Sequence, residues 1–253
     1  ASPCPGGARQ SRLEMTPAEQ GMAADARIVD AAISSRRSIR RFLPTPVPRA
    51  TIEAILATAS RAPSGSNIQP WRVYVVAGSA RAALVTEVLA AHDADRGVAD
   101  PVHRADYEYY PRNWFEPYIG RRRQLGWSLY TLLGIGKGDF DKSHVHSGRN
   151  FCFFDAPVGL LFTIDRRLEQ GSWLDYGMFI ENIMIAARGR GLDTCPQQAW
   201  CRFHRIVARH IGMAEHEQLV CGMALGHADP GALENQFNTE RAPVDAFARF
   251  VGE

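Results

Sequence analysis

The sequence predicts an α+β fold built around a central sheet. Segments with helical periodicity outnumber the strands, and they separate the strands without the strict alternation of a doubly wound fold. Neither a G-x-G-x-x-G nor a G-x-x-x-x-G-K-[ST] stretch occurs in the chain, so the two common nucleotide-binding folds lack their motifs. The 253 residues are 45% hydrophobic, which is enough for one sizeable core. We therefore predict a single domain over residues 22–253.

Hydrophobic periodicity places the elements in order along the chain. In the segment 50–60, for example, Ile52, Ile55, Leu56 and Ala59 recur at the spacing of one helix face. The same reasoning predicts helices over 24–35, 50–60, 79–92, 173–190 and 203–211. Apolar runs predict strands over 72–77, 157–164 and 219–225. We predict a loop over 191–200, because Gly191 favours a left-handed helix cap and Pro196 follows it.

Two segments differ from this pattern in composition. Residues 1–21 are polar and rich in Gly and Pro, which predicts a flexible N-terminal arm. They contain no apolar core of the kind found in signal peptides. Residues 103–150 are crowded with aromatic residues and arginines, which predicts an insertion of short helices.

Charge and cysteine content exclude several classes of partner and site. The formal net charge of +2 gives no basis for binding nucleic acid or a membrane surface, and no apolar run approaches the ~20 residues of a membrane span. Five cysteines without a C-x-x-C pair favour free thiols and a cytoplasmic location. His144 and His146 lack further ligands at metal-site spacing, so we expect no metal.

Three segments carry residues suited to binding. In RRSIRRF (36–42), arginine forks flank a hydroxyl, which suits a phosphate, although basic residues at a helix end are also common. RAPSGSNIQPW (61–71) combines two prolines with polar side chains and fits either a turn or a rigid polar rim for a planar ligand. GLDTCPQQAW (191–200) fits either a connector or a binding loop, and Cys195 either a reactive or a buried thiol.

Taken in order, these segments resemble the FMN-dependent nitroreductase family. RRSIRRF is similar to its R-x-S-x-R/K signature, RAPSGSNIQPW to P-S-x-x-N-x-Q-P-W, and GLDTCP to G-L-x-T/S-C-x. The segment ALGHADP…NTERAP is similar to the family's last strand and arginine segment. The resemblance covers roughly residues 28–252, and the block PVGLLFTIDRRLEQGSWLDYGMF is similar to the bacterial branch of nitroaromatic and nitrobenzoate reductases.

The resemblance implies a mostly antiparallel sheet flanked by helices, in an intertwined homodimer with FMN at its interface. The ribityl-phosphate end would be held by Arg36, Arg37, Ser38, Arg40 and Arg241. The isoalloxazine would be bordered by Pro63, Ser64 and Asn67 of the partner, and on its other side by Pro196, Gln198 and Ala199. A backbone N–H near Gln198 or Ala199 would face the flavin N5. These two residues replace the Glu and Gly of many members, which changes the pocket's shape and charge there.

The implied activity is a ping-pong hydride transfer from NAD(P)H through FMN to an electron-poor acceptor. A nitroaromatic would pass through nitroso to hydroxylamine, and no catalytic acid or base is required of the protein. The insertion over 103–150 is the candidate lid over a small aromatic substrate. Its candidate contact residues are Tyr109, Tyr110, Trp114, Phe115 and Tyr118.

Two alternative functions stay open at this point. The nearest is another flavin reductase of the same fold, such as a reductive dehalogenase of the iodotyrosine-deiodinase type. That group uses an E-x-x-x-Y spacing in its lid, whereas here Glu108 is followed by Arg112 and Glu116 by Gly120. The other alternative is a protein that binds FMN without turnover.

Overall fold

The computed structural model describes residues 17–252, which divide into two compact units after Ser35. The described part of the first unit is one helix, α1 (Pro17–Ser35). It begins at Pro17 rather than at Ala24, the predicted start. The earlier part of the predicted arm, with Cys4, lies outside the described residues, and its flexibility stays a prediction.

The described part of the second unit contains helices and strands, with three successive helices between its first two strands. Its helices are α2 (Arg49–Ala59), α3 (Gly78–Ala94), α4 (Tyr118–Leu132), α5 (Phe140–Gly148), α6 (Gln170–Arg188) and α7 (His204–Ile211). Its strands are β1 (Arg72–Ala77), β2 (Val158–Asp165), β3 (Asp193–Gln197) and β4 (Glu217–Gly226). Among residues 17–252, no helix combines the length and apolar character needed to cross a bilayer.

The strands form one sheet in the order β1-β2-β4-β3, and each neighbouring pair is antiparallel. The prediction of an α+β fold with a mostly antiparallel sheet is therefore confirmed. The central strands β2 and β4 are covered on both faces, which explains why they read as continuous apolar runs. Helices α3 and α7 cover one face of the sheet, while α2 and α6 cover the other.

Two glycines in the central strands make room for a pair of aromatic rings. Phe153 and Trp200 stack with centroids 4.3 Å apart on the face covered by α3 and α7. A Cβ atom on Gly159 of β2 or on Gly222 of β4 would overlap these rings. The absence of side chains at these two positions therefore allows the rings to approach the sheet closely.

The assignment of 191–200 as a loop is wrong in its middle. Gly191 does adopt a left-handed backbone, with φ of 71°, but Asp193–Gln197 then forms strand β3 at the edge of the sheet. Its burial does not alternate, and it contains Pro196, so neither periodicity nor propensity indicates a strand. Proline is tolerated there because an edge strand does not need every N–H for its ladder.

Candidate functional site

The Arg36–Phe42 segment is extended and lies beside β3. Ser38 forms a parallel bridge with Thr194, and the Ile39 N–H donates to the Thr194 carbonyl at 3.0 Å. Ile39 is buried in the core, so the neighbouring side chains Ser38 and Arg40 point to the opposite side of the strand. Arg36, Ser38 and Arg40 therefore occupy alternate positions of one extended segment.

Ser38 and the guanidinium groups of Arg36 and Arg40 lie near enough to Cys195 to lower the pKa of its thiol, and Arg40 also donates from Nη1 to the Ser38 carbonyl at 3.3 Å. Burial opposes these effects and raises the pKa of the Cys195 thiol to about 11. The thiol is therefore protonated at neutral pH, which leaves it without the thiolate that a nucleophile requires.

The C-terminal segment is bonded to this same stretch through Asn235. The Asn235 side chain is buried and accepts from the backbone N–H of Arg40 at 2.8 Å and of Arg41 at 3.2 Å. Its amide group also donates to the Arg41 carbonyl at 2.7 Å. One side chain thus fixes the backbone of the arginine segment opposite β3.

A second link leads to Arg241. The Arg37 guanidinium donates to the Asn238 side chain at 3.0 Å, three residues before Arg241. Arg241 is exposed, and its Nη1 donates to the Thr239 hydroxyl at 2.6 Å and to two carbonyls of its own segment. The structure therefore joins the segment that carries Arg241 to the one that carries Arg36, Ser38 and Arg40.

The end of β3 presents the next group of predicted residues. Pro196 is exposed, and Gln198 and Ala199 are half-buried in the turn that follows. Gln197 between them is buried; its Nε2 donates to the Asn150 carbonyl at 2.7 Å. Its Oε1 is also buried and has no hydrogen-bond partner among the described residues. This anchor fixes the turn from which the Gln198 and Ala199 backbone projects.

The loop over 61–71 is fastened to α6. The Asp175 carboxylate, which is buried, accepts from the Gly65 N–H at 3.0 Å. Trp71 stacks on Phe179 of the same helix, with centroids 4.7 Å apart. Trp71, immediately before β1, therefore packs the end of the loop on α6.

The tip of this loop is a tight turn that faces outward. The Ser64 hydroxyl accepts from the Gln69 N–H at 3.0 Å, and Asn67 has a φ of 57°. Pro63 and Asn67 are exposed, and Ser64 is half-buried. Within the described chain, the bonds of this turn run to the loop itself and to α6, not to the Arg36–Arg40 segment.

Sequence reasoning missed the two side chains that hold these segments in place. Asp175 and Asn235 are only 8% and 6% exposed. Asp175 could have been found from the sequence, because it is a carboxylate on the apolar stripe of α6 and an isolated charge is costly to bury. Asn235 lies in a polar tail, where nothing in the sequence distinguishes a buried amide from an exposed one.

The predicted lid residues form an exposed aromatic cluster before and at the start of α4. Tyr109 and Tyr110 meet edge to face at 4.7 Å, and Tyr110 lies 5.2 Å from Trp114. Phe115 and Tyr118 form a second edge-to-face pair at 5.0 Å. The Arg122 guanidinium lies 4.7 Å over the Trp114 ring.

A separate polar cluster joins α3 to α5. The ligand atoms of His92, Asp93 and His144 lie within 4.8 Å of one another, and the His144 Nε2 is 2.8 Å from Asp93. The two imidazole rings stack face to face, with centroids 4.1 Å apart and planes 3° from parallel. Parallel planes do not meet, so the in-plane lone pairs of both rings cannot point at one metal ion in this arrangement.

Comparison with known proteins identifies the relationship. A family model described as "Nitroreductase family" matches residues 33–227. The chain belongs to the nitroreductase family. It is 41% identical to a chloronitrobenzene nitroreductase of Comamonas testosteroni over 225 residues, which cover 89% of this chain and 97% of that protein.

Two further nitroreductases are similar over comparable lengths. A 4-nitrobenzoate reductase of Pseudomonas putida is 40% identical, with 88% of this chain and 95% of that protein covered. The crystal structure of the FMN and NADPH-dependent nitroreductase NfnB from sphigopyxis sp. strain HMH has a TM-score of 0.84 and 33% identity. That match covers 89% of this chain and 99% of the other.

Proposed function

We propose that this nitroreductase is an FMN-dependent NAD(P)H oxidoreductase that reduces nitroaromatic acceptors, including anionic rings such as nitrobenzoate. The observation that carries the proposal is the position of the Arg36–Arg40 segment along β3, where Ser38 bridges Thr194 and the Arg40 guanidinium donates to the Ser38 carbonyl at 3.3 Å. It occurs in a chain about 40% identical to reductases of chloronitrobenzene and 4-nitrobenzoate.

The chemistry of the donor set fits the phosphate of FMN. Within residues 17–252, the guanidinium groups of Arg37, Arg40 and Arg241 are bonded to carbonyl, amide or hydroxyl oxygens rather than to carboxylates. Arg36 has Glu181 only at 3.8 Å. This positive charge is available to a phosphate, which guanidinium groups bind through paired, charge-assisted hydrogen bonds.

The remaining residues are assigned to the rest of the cofactor. Arg241 would hold the phosphate, while Pro196 and the backbone at Gln198 and Ala199 would border the flavin ring from the end of β3. When bound, FMN supplies the redox chemistry, taking hydride from NAD(P)H and giving it to the acceptor. The protein binds and orients both partners, and the protonated Cys195 thiol does not compete as a nucleophile.

We propose that the site is completed in a homodimer, where Pro63, Ser64 and Asn67 come from the partner. The outward-facing turn at the loop tip supports this, since Pro63 and Asn67 are exposed. Large apolar side chains are also exposed, including Leu174, Phe247 and Phe250 at 70%, 72% and 73%. Aromatic side chains such as these two phenylalanines are enriched in protein interfaces.

We also propose a role for the insertion and a cellular compartment for the protein. Residues 103–150 form a lid within the single domain 22–253, and its exposed rings stack on a small aromatic substrate. Cys152, Cys195, Cys201 and Cys221 are free thiols, which supports a reducing, cytoplasmic location.

Anaerobic flavin spectroscopy tests the proposed function. We expect the purified protein to carry FMN, to lose its visible flavin absorbance when NADPH or NADH is added without oxygen, and to regain it with 4-nitrobenzoate. A protein that binds FMN but is not bleached by either nicotinamide would be a binding module rather than a reductase. Bleaching without recovery would exclude nitrobenzoate as an acceptor.

A further inference from the structure

A cavity of about 720 Å³ lies between α4 and the C-terminal segment. From α4 it is lined by Arg121, Gln124, Leu125 and Ser128, whose spacing places them on one face of the helix. The opposite wall is formed by residues 237–243 and Ala246. Its volume is within the range of small-molecule sites, roughly 300–1,000 Å³.

The cavity has an excess of positive charge. Arg121 and Arg241 line it together with a single carboxylate, that of Glu240. Within residues 17–252, the Arg121 side chain has no hydrogen bond or ion pair. Arg241 is oriented by Thr239 and by the Glu240 carbonyl rather than by a carboxylate. At the rim, Arg37 adds a third guanidinium through its bond to Asn238.

The remaining polar groups of the lining are neutral. Gln124, Ser128 and Thr239 supply amide and hydroxyl groups alongside the two arginines. A phosphate monoester carries a charge of about −1.5 to −2 and three peripheral oxygens that accept hydrogen bonds. Two guanidinium forks that have no carboxylate partner among the described residues, with neighbouring hydroxyl and amide donors, match that charge and that number of acceptors.

We propose that this cavity binds a phosphate monoester and that Arg121 of α4 is one of its binding residues. The inference rests on the proposed function, because both FMN and NADPH carry such a group. In FMN it is the ribityl phosphate. In NADPH it is the ribose 2′-phosphate, which NADH lacks. The cavity therefore either extends the FMN phosphate site onto α4 or selects NADPH over NADH.

Comparing Arg121→Ala with Arg123→Ala tests the inference. Arg123 is an exposed arginine of the same helix that does not line the cavity, so its replacement is a matched control. Two pairs of ligands, whose members differ by one phosphate group, isolate the contribution of that group to binding. The first pair is FMN and riboflavin, measured by quenching of flavin fluorescence on the full-length apoprotein. The second is NADPH and NADH, compared through their KM values for the FMN-loaded enzyme.

We expect Arg121→Ala to weaken one phosphate-bearing ligand about tenfold, the loss typical of a charge-assisted hydrogen bond. Its phosphate-free counterpart should be unchanged, and Arg123→Ala should match the wild type. Weaker binding of FMN but not of riboflavin would show that the cavity binds the FMN phosphate. A raised KM for NADPH but not for NADH would show that it binds the 2′-phosphate of NADPH. Equal losses within a pair, or no loss in either, overturn the inference.

The two proposals fail in different ways. If nicotinamides do not reduce the wild-type protein, the reductase function fails, while the comparison of FMN with riboflavin still reports on Arg121. If the wild type is active and Arg121→Ala behaves like it in all four measurements, the function stands and the cavity is not a phosphate site.

Discussion

At the scale of single residues, burial decides the chemistry of the thiol at the centre of the site. Cys195 has two guanidinium groups and a hydroxyl beside it, all of which favour the thiolate. Desolvation outweighs them, and the pKa rises to about 11. The sequence left Cys195 open as either a reactive or a buried residue, because no local motif reports the depth of a side chain.

Gly222 offers a test of packing at the same scale. We expect Gly222→Ala to lower the free energy of unfolding by about 1–3 kcal/mol, because the new methyl group overlaps the Trp200 ring in a packed core. Gly126→Ala in α4 is the control, since a Cβ atom there meets nothing within 4 Å. It should be neutral or stabilising by about 0.5–1 kcal/mol. Urea denaturation measures both, and equal effects would contradict the packing argument.

At the scale of elements, the sequence predicts strands that are buried on both faces and helices that bury one continuous stripe. The central strand β2 and the long helix α6 were predicted to within a few residues, because their apolar patterns report burial directly. Strand β3 was not, because an edge strand of five residues with a proline takes its order from pairing with β4. Tertiary contact determines that element, and no local pattern encodes it.

The loop over 61–71 depends on a contact of the same kind, which mutation can test. Asp175→Ala removes the acceptor of the Gly65 N–H, so the loop loses this anchor in the free protein. Binding of the cofactor must then also order the loop. We expect FMN affinity to fall about tenfold, since a hydrogen bond to a charged group contributes about 1.5–3 kcal/mol. Trypsin should also cleave faster after Arg61.

Two further variants separate this contact from a general effect on α6. Asp175→Asn keeps an oxygen acceptor and should retain most of the affinity. Glu169→Ala, at the exposed start of the same helix, should change neither FMN affinity nor cleavage. If Asp175→Ala weakens FMN no more than Glu169→Ala does, the Gly65 contact does not position the loop.

At the scale of the whole molecule, the sequence predicted the family and the segments that carry the site, because their motifs are local. It did not show how the segments are assembled. The Arg36–Arg40 segment, β3 and the C-terminal segment are joined by backbone bridges and by Asn235. These contacts connect positions far apart in the chain, such as Arg40 and Asn235, and the bonds of Asn235 depend on a side chain whose depth the sequence does not reveal.

A mixed dimer distinguishes a shared site from a site within one chain. Arg36→Ala and Asn67→Ala should each weaken FMN binding in their own homodimers. A mixed dimer of the two variants can be isolated with two affinity tags. If Asn67 serves the partner's flavin, this dimer has one site in which both residues are wild type. We expect such a dimer to bind one FMN with wild-type affinity.

Mixing Arg36→Ala with Ser38→Ala should give no such site, because both residues lie on one segment. Absence of a restored site in the first mixture, or gel filtration showing only monomer with FMN bound, would place the whole site within one chain.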